Sequence, residues 1–140
     1  MWTRKNTVLP VIILITLACF LVGCSDNSGK PDEADKITKK LLQSITEVDF
    51  DTYRNCFAEE LRPMLGNEDD FIKTTSQIFT SYGEYIEDTL QYTGIETTDE
   101  GYIKVLYDAE FTEVGELQVL AVFQESKEDT EVVGFFLNPK

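Results

Sequence analysis

The spacing of apolar residues changes once along the chain, at Gly83, and this limits the fold more than any other feature. From Ile37 to Tyr82 apolar side chains recur every three or four residues, the repeat of one face of an α-helix; beyond Gly83 they alternate, as in a half-buried strand. Helices grouped before strands exclude the alternating order of a parallel sheet and specify an α+β domain. The spacing predicts three helices. Ile37, Leu41, Ile45 and Val48 line the first over 33–48, with Asp32 and Glu33 where the helix dipole favours acids. Tyr53, Phe57 and Leu61 line the second over 51–62, which Asp49 or Asp51 can cap and Pro63 and Gly66 stop. Asn67 caps the third, Phe71, Thr75, Ile78 and Tyr82 form its inner face, and Gly83 ends it. Glu68, Asp69 and Asp70 are read as first-turn acids, because the cluster lacks the alternating ligands and glycine of a calcium loop.

Residues 85–96, 102–112, 116–125 and 131–138 are rich in Val, Ile, Tyr, Phe and Thr, and 98–101, 114–115 and 126–130 punctuate them as hairpin connections. The expected architecture is three N-terminal helices on one face of a four-stranded antiparallel meander. Alternation puts Ile103, Val105, Tyr107, Ala109 and Phe111 of the second strand on the helix side, with Leu117, Val119, Ala121 and Phe123 of the third and Val133, Phe135 and Leu137 of the fourth. The opposite rows retain Leu106, Leu120, Val122, Val132 and Phe136, an apolar patch that marks an interface unless the tether, the long first strand or simple strand propensity accounts for it.

Charge and composition narrow the function. With 26 acidic against 12 basic residues, the chain is repelled by nucleic acids and anionic lipid headgroups, so no nucleic-acid partner is expected and membrane attachment must be hydrophobic or covalent. It has no histidine, which removes the commonest general base, the commonest metal ligand and every Ser-His or Cys-His nucleophile. Tyr53, Tyr82, Tyr92, Tyr107 and Asp108 are the remaining candidates for acid-base chemistry, but Asp108 points outward by alternation and tyrosine titrates near pH 10. No catalytic residue, metal ligand or cofactor is assigned. Cys56 falls within the apolar pattern of the second helix and is read as a small core residue.

The order of helices, the segment VDFDTYRNCFAEEL, a third helix ending at SYGEY and four strands closing on EVVGFFLNP resemble a nuclear-transport-factor-2-like domain, the cystatin-like cone, as carried by prokaryotic lipoproteins. The resemblance covers 33–140. It implies a curved sheet around helices, a cone-shaped pocket and dimerisation through the outer sheet face. Tyr53, Tyr82, Tyr107, Phe111, Phe123 and Phe135 would then line the pocket, and a small apolar ligand would suit it. The favoured function is non-catalytic binding of a ligand or protein, with a second copy or an envelope protein as partner. The alternative is a small cone-pocket enzyme of isomerase, dehydratase or hydrolase type, using Tyr and carboxylate groups.

The N-terminus reads as an address. Arg4 and Lys5 precede an apolar stretch from Val8 to Val22, and no acid occurs before Asp26. At fifteen residues the stretch is short for a spanning helix, which needs about 20, so it is read as an export signal. It closes on Leu21-Val22-Gly23-Cys24, which resembles the lipobox of prokaryotic lipoproteins. That resemblance implies cleavage between Gly23 and Cys24, a diacylglycerol on the Cys24 thiol, and a chain held by lipid on the extracytoplasmic face of the cell membrane. Residues 1–23 are then signal peptide, 24–32 a flexible tether and 33–140 the domain; an uncleaved anchor with Cys24 as an ordinary thiol is the competing reading. Labelling of expressing cells with an alkyne fatty acid is expected to tag the native chain and not Cys24→Ala; equal labelling of both would contradict lipidation.

Overall fold

A computed structural model describes residues 30–124 and 130–140. The signal, the Gly23–Cys24 junction and the tether to residue 29 lie outside the described residues, as does most of the last connection. Helix α1 (Lys30–Glu47) is followed by the short helix α2 (Phe50–Asn55), a 3₁₀ helix (Glu59–Leu65) and helix α3 (Glu68–Tyr82). Strands β1 (Gln91–Thr97), β2 (Tyr102–Phe111), β3 (Gly115–Gln124) and β4 (Glu131–Pro139) form one antiparallel sheet in the order β1-β2-β3-β4. The class is α+β, as the change of period requires. No helix among the described residues is long and apolar enough to cross a membrane.

Helix α1 starts at Lys30, inside the stretch expected to be tether, with Asp32 and Glu33 in its first turn. It buries Ala34, Thr38, Leu41, Leu42, Ser44 and Ile45. Val48, counted into the helix by its spacing, instead follows its end at φ +54°, with Asp49 N–H donating to Ser44 O at 2.8 Å. Asp49 then caps α2, its carboxylate accepting from Thr52 N–H at 3.1 Å and Thr52 Oγ1 at 2.6 Å. At the head of α3 the expected cap is present: Asn67 Oδ1 accepts from Asp70 N–H at 2.9 Å, and Asp70 Oδ2 accepts from Asn67 N–H at 3.2 Å.

Two expected elements differ, both because distant backbone competes for their hydrogen bonds. The helix expected over 51–62 ends at Asn55. Cys56 to Ala58 run alongside β4 in parallel, with Ala58 N–H donating to Val132 O at 2.9 Å and Val132 N–H to Cys56 O at 3.3 Å. The 3₁₀ helix resumes only after this joint. The strand expected over 85–96 is split in two. Tyr85 bridges Phe111 and Ile86 N–H donates to Glu110 O at 2.8 Å; the chain then turns through Asp88 at φ +66° before β1 begins. Thr89 stitches the break, donating its hydroxyl to Ile86 O at 2.6 Å and accepting from Glu110 N–H at 3.0 Å.

The inner sheet face is apolar throughout its central strands. Val105, Tyr107, Ala109, Phe111, Leu117, Val119, Ala121 and Phe123 are all buried in one core with Leu41 and Leu42 of α1. The pairing slips between Tyr92 and Gly94 and again opposite Val122 and Phe123, so each edge strand carries a bulge. The second bulge overturns one assignment. Phe123 pairs with Val132 and Val122 with Gly134, leaving Val133 as the extra residue. Val132, expected on the outer face, is therefore an inner residue at 0% exposure, and Val133 shares the outer face with Gly134 and Phe136. One extra residue reverses the parity of every residue on one side of it.

Gly83 shows how tightly α3 meets the sheet. It holds φ +85°, and a β-carbon there would stand 2.1 Å from Thr112 Oγ1 and 2.7 Å from Glu113 N. Gly101 has a similar φ of +88° in open space. In urea denaturation, Gly83→Ala is expected to cost about 2–4 kcal/mol, combining backbone strain with overpacking. Gly101→Ala should cost about 1–2 kcal/mol from strain alone; equal losses would contradict the close approach.

Candidate functional site

The six aromatics expected to line a pocket all belong to the core. Tyr107, Phe111 and Phe123 are fully buried, and Tyr53, Tyr82 and Phe135 pack against them half-buried. Tyr53 packs at tilted angles against Phe57 and Phe71, with ring centroids 5.1 and 4.9 Å away, and Tyr82 meets Phe111 edge-on at 6.5 Å. Tyr92, at the edge of the sheet, meets Tyr107 edge-on at 6.3 Å.

One polar feature interrupts this core. The Tyr107 hydroxyl, Thr38 Oγ1 and Asp35 Oδ1 are buried close together, and none makes a hydrogen bond of good geometry among the described residues. Burial first, and then the neighbouring Asp35 carboxylate, push the Tyr107 pKa far above its ordinary value. Burial likewise pushes Tyr53 up to about 12. Both phenols hold their protons at physiological pH and cannot act as bases there. The polar pair was visible in the sequence as Asp35 and Thr38 on the apolar side of α1, a signal the helical pattern alone obscured.

The outer sheet face has a different character. Gly94, Leu106, Leu120 and Phe136 are direct cross-strand partners and make one row across all four strands. Leu106, Leu120 and Val122 are half-buried; Phe136 is 52% exposed, the highest value for any aromatic side chain among the large exposed hydrophobic residues. A β-carbon on Gly134 would stand 3.0 Å from the Phe136 ring and 3.4 Å from Val122, so the glycine lets the ring lie down across β4. Beside the row is an open groove of about 480 Å³ lined by Leu61, Tyr102, Val122, Val133, Gly134 and Phe136, with Glu60 and Gln124 at its rim. Leu61 and Glu60 reach it because the joint at Cys56–Ala58 carries the 3₁₀ helix to the β4 edge. At the other end of the face, Lys140 Nζ bonds Glu116 and lies 2.9 Å from Asp108 Oδ2. The outward orientation expected for Asp108 is thus found. Leu61 and Val133 were missed, since only tertiary pairing brings them to this face, whereas Tyr102 lies there by the same alternation as Leu106.

No model of a known protein family matches the chain, and no curated protein matches it significantly.

The raised tyrosines make stability fall in alkali. In the unfolded chain a tyrosine loses its proton near pH 10, whereas folded Tyr53 keeps it to about 12. The stabilisation is complete below pH 10 and is lost as pH rises through the folded value, because the unfolded state then binds fewer protons. The urea midpoint is expected to fall above pH 10, with a shallower slope in Tyr53→Phe than in the native chain; identical slopes would contradict the shift at Tyr53.

Proposed function

We propose that the chain is a lipid-anchored extracytoplasmic protein, held at the cell membrane through Cys24, whose domain is of the nuclear-transport-factor-2-like type and works by binding. Its partner on the outer sheet face is a second copy of the chain. The observation that carries this reading is the straight cross-strand row Leu106–Leu120–Phe136 on the face opposite the helices. Contiguous exposed apolar surface on a sheet otherwise edged by charge is the mark of an association surface.

The charges around the row favour self-pairing. Lys104 and Asp108 lie two residues to either side of Leu106 on β2, both pointing outward. If two faces meet with a twofold axis along the row, each strand reverses over its copy, and Lys104 of one copy stands over Asp108 of the other. Phe136 then meets Phe136, and the apolar row is covered along its length. The enzyme reading would rest on the Asp35–Thr38–Tyr107 cluster.

Sedimentation of the detergent-solubilised full chain tests this. The native chain is expected to self-associate, and Phe136→Glu or Leu120→Glu to weaken association by more than about tenfold, or 1.4 kcal/mol. Lys104→Glu should weaken it less, and adding Asp108→Lys should restore part of the loss. A native chain that stays monomeric, or variants that associate as it does, would contradict the reading; a different envelope protein copurifying through the same face would replace the second copy as partner.

A further inference from the structure

On the helix side of the β4 joint lies a second groove, of about 400 Å³, lined by Ile37 and Lys40 of α1, Thr52, Asn55, Cys56 and Phe57 around the end of α2, Arg62 of the 3₁₀ helix, and Thr130 and Glu131 at the start of β4. Its volume is in the range of small-molecule sites. Its charge is the reverse of the chain's. In a protein with 26 acidic and 12 basic residues, two cations meet here, and neither is in an ion pair among the described residues, where such pairs are confined to Lys140.

Arg62 is fixed in place. Its Nε donates to Phe57 O at 3.2 Å and one Nη to Asn55 O at 3.4 Å, which leaves the rest of its five N–H donors uncommitted. Lys40 is exposed and acts on the Cys56 thiol, whose pKa burial raises and the Lys40 charge partly lowers. The groove's hydroxyls are engaged elsewhere: Thr52 donates to Asp49 at 2.6 Å and Thr130 to Glu33 at 2.7 Å. The open donors are therefore Lys40, Arg62 and the Asn55 amide, over a floor of Ile37, Cys56 and Phe57.

We propose that this groove binds a small organic carboxylate, its single negative charge held between Arg62 and Lys40 and its apolar body against Ile37 and Phe57. A guanidinium with uncommitted donors matches the fork of a carboxylate. Glu131, on the same wall, limits the charge that fits and selects a monoanion over a phosphate dianion. The site is independent of the outer sheet face.

Benzoate is a suitable probe, and Cys56 a built-in reporter, because an occupant would shield its half-buried thiol. The rate of Cys56 alkylation by iodoacetamide is read by peptide mapping of the detergent-solubilised chain, which resolves the Cys56 peptide from any other thiol. Benzoate is expected to slow the reaction saturably, and more than inorganic phosphate at equal ionic strength. Arg62→Gln and Lys40→Gln should each raise the half-protecting benzoate concentration about tenfold. Lys40 has no bonded partner to lose among the described residues, so a shift in Lys40→Gln reports binding and not misfolding. A Cys56 rate unaffected by benzoate, a half-protecting concentration unchanged in Lys40→Gln, or phosphate protecting as well as benzoate would overturn the proposal.

Discussion

Two backbone hydrogen bonds, Val132 N–H to Cys56 O and Ala58 N–H to Val132 O, join the helical half of the chain to the last strand, and both grooves depend on them. By taking Cys56, Phe57 and Ala58 out of helical geometry, this parallel pairing ends α2 at Asn55 and gives the β4 edge a partner. It covers part of an edge that would otherwise offer unpaired groups to other chains. It also sets where the 3₁₀ helix emerges. Leu61 and Glu60 become one wall of the outer groove, while Arg62, tied back to Phe57 O, faces the other. The neighbouring bulge at Val133 completes the arrangement, turning Val132 inward beside the joint and Val133 outward into the groove.

The sheet separates the two faces chemically. Its inner face is a packed aromatic and aliphatic core in which phenol groups hold their protons, and the polar group of Asp35, Thr38 and Tyr107 lies against it. The outer face bears an apolar row between Lys104 and the Lys140–Asp108–Glu116 group. Lys104 and Lys140 flank the outer row, whereas Lys40 and Arg62 converge on the helix side.

What could be read from the sequence followed from local physics. The period change at Gly83, the N-cap at Asn67 and the alternation of β2 and β3 each depend on residues within a few positions of one another, and each is found in place. Apart from the ends of the first helix, where Lys30 and Val48 were misplaced, the misreadings are non-local. Val132 was placed on the wrong face because a bulge is decided by the partner strand, and nothing in the run Val132-Val133-Gly134 marks which residue is extra. The second helix was drawn through Phe57 because helical spacing cannot register a competing strand about 75 positions away, a distance the chain closes at modest entropic cost. The first strand was drawn through Asp88 for the same reason, since Thr89 bonds to Glu110 across the break. The helix-side groove had no sequence signal at all: Lys40, Asn55, Arg62 and Glu131 meet only through the joint.

The central claim is that two copies pair across the row Leu106–Leu120–Phe136 with the twofold axis along it, so each residue of the row faces its own counterpart. Disulfide trapping tests that geometry directly. In a Cys56→Ser background, Leu120→Cys is expected to oxidise rapidly to a covalent dimer whose peptide map contains the 120–120 linkage, while Glu113→Cys, away from the row, does not. A chain that cross-links no faster at Leu120→Cys than at Glu113→Cys would contradict the pairing.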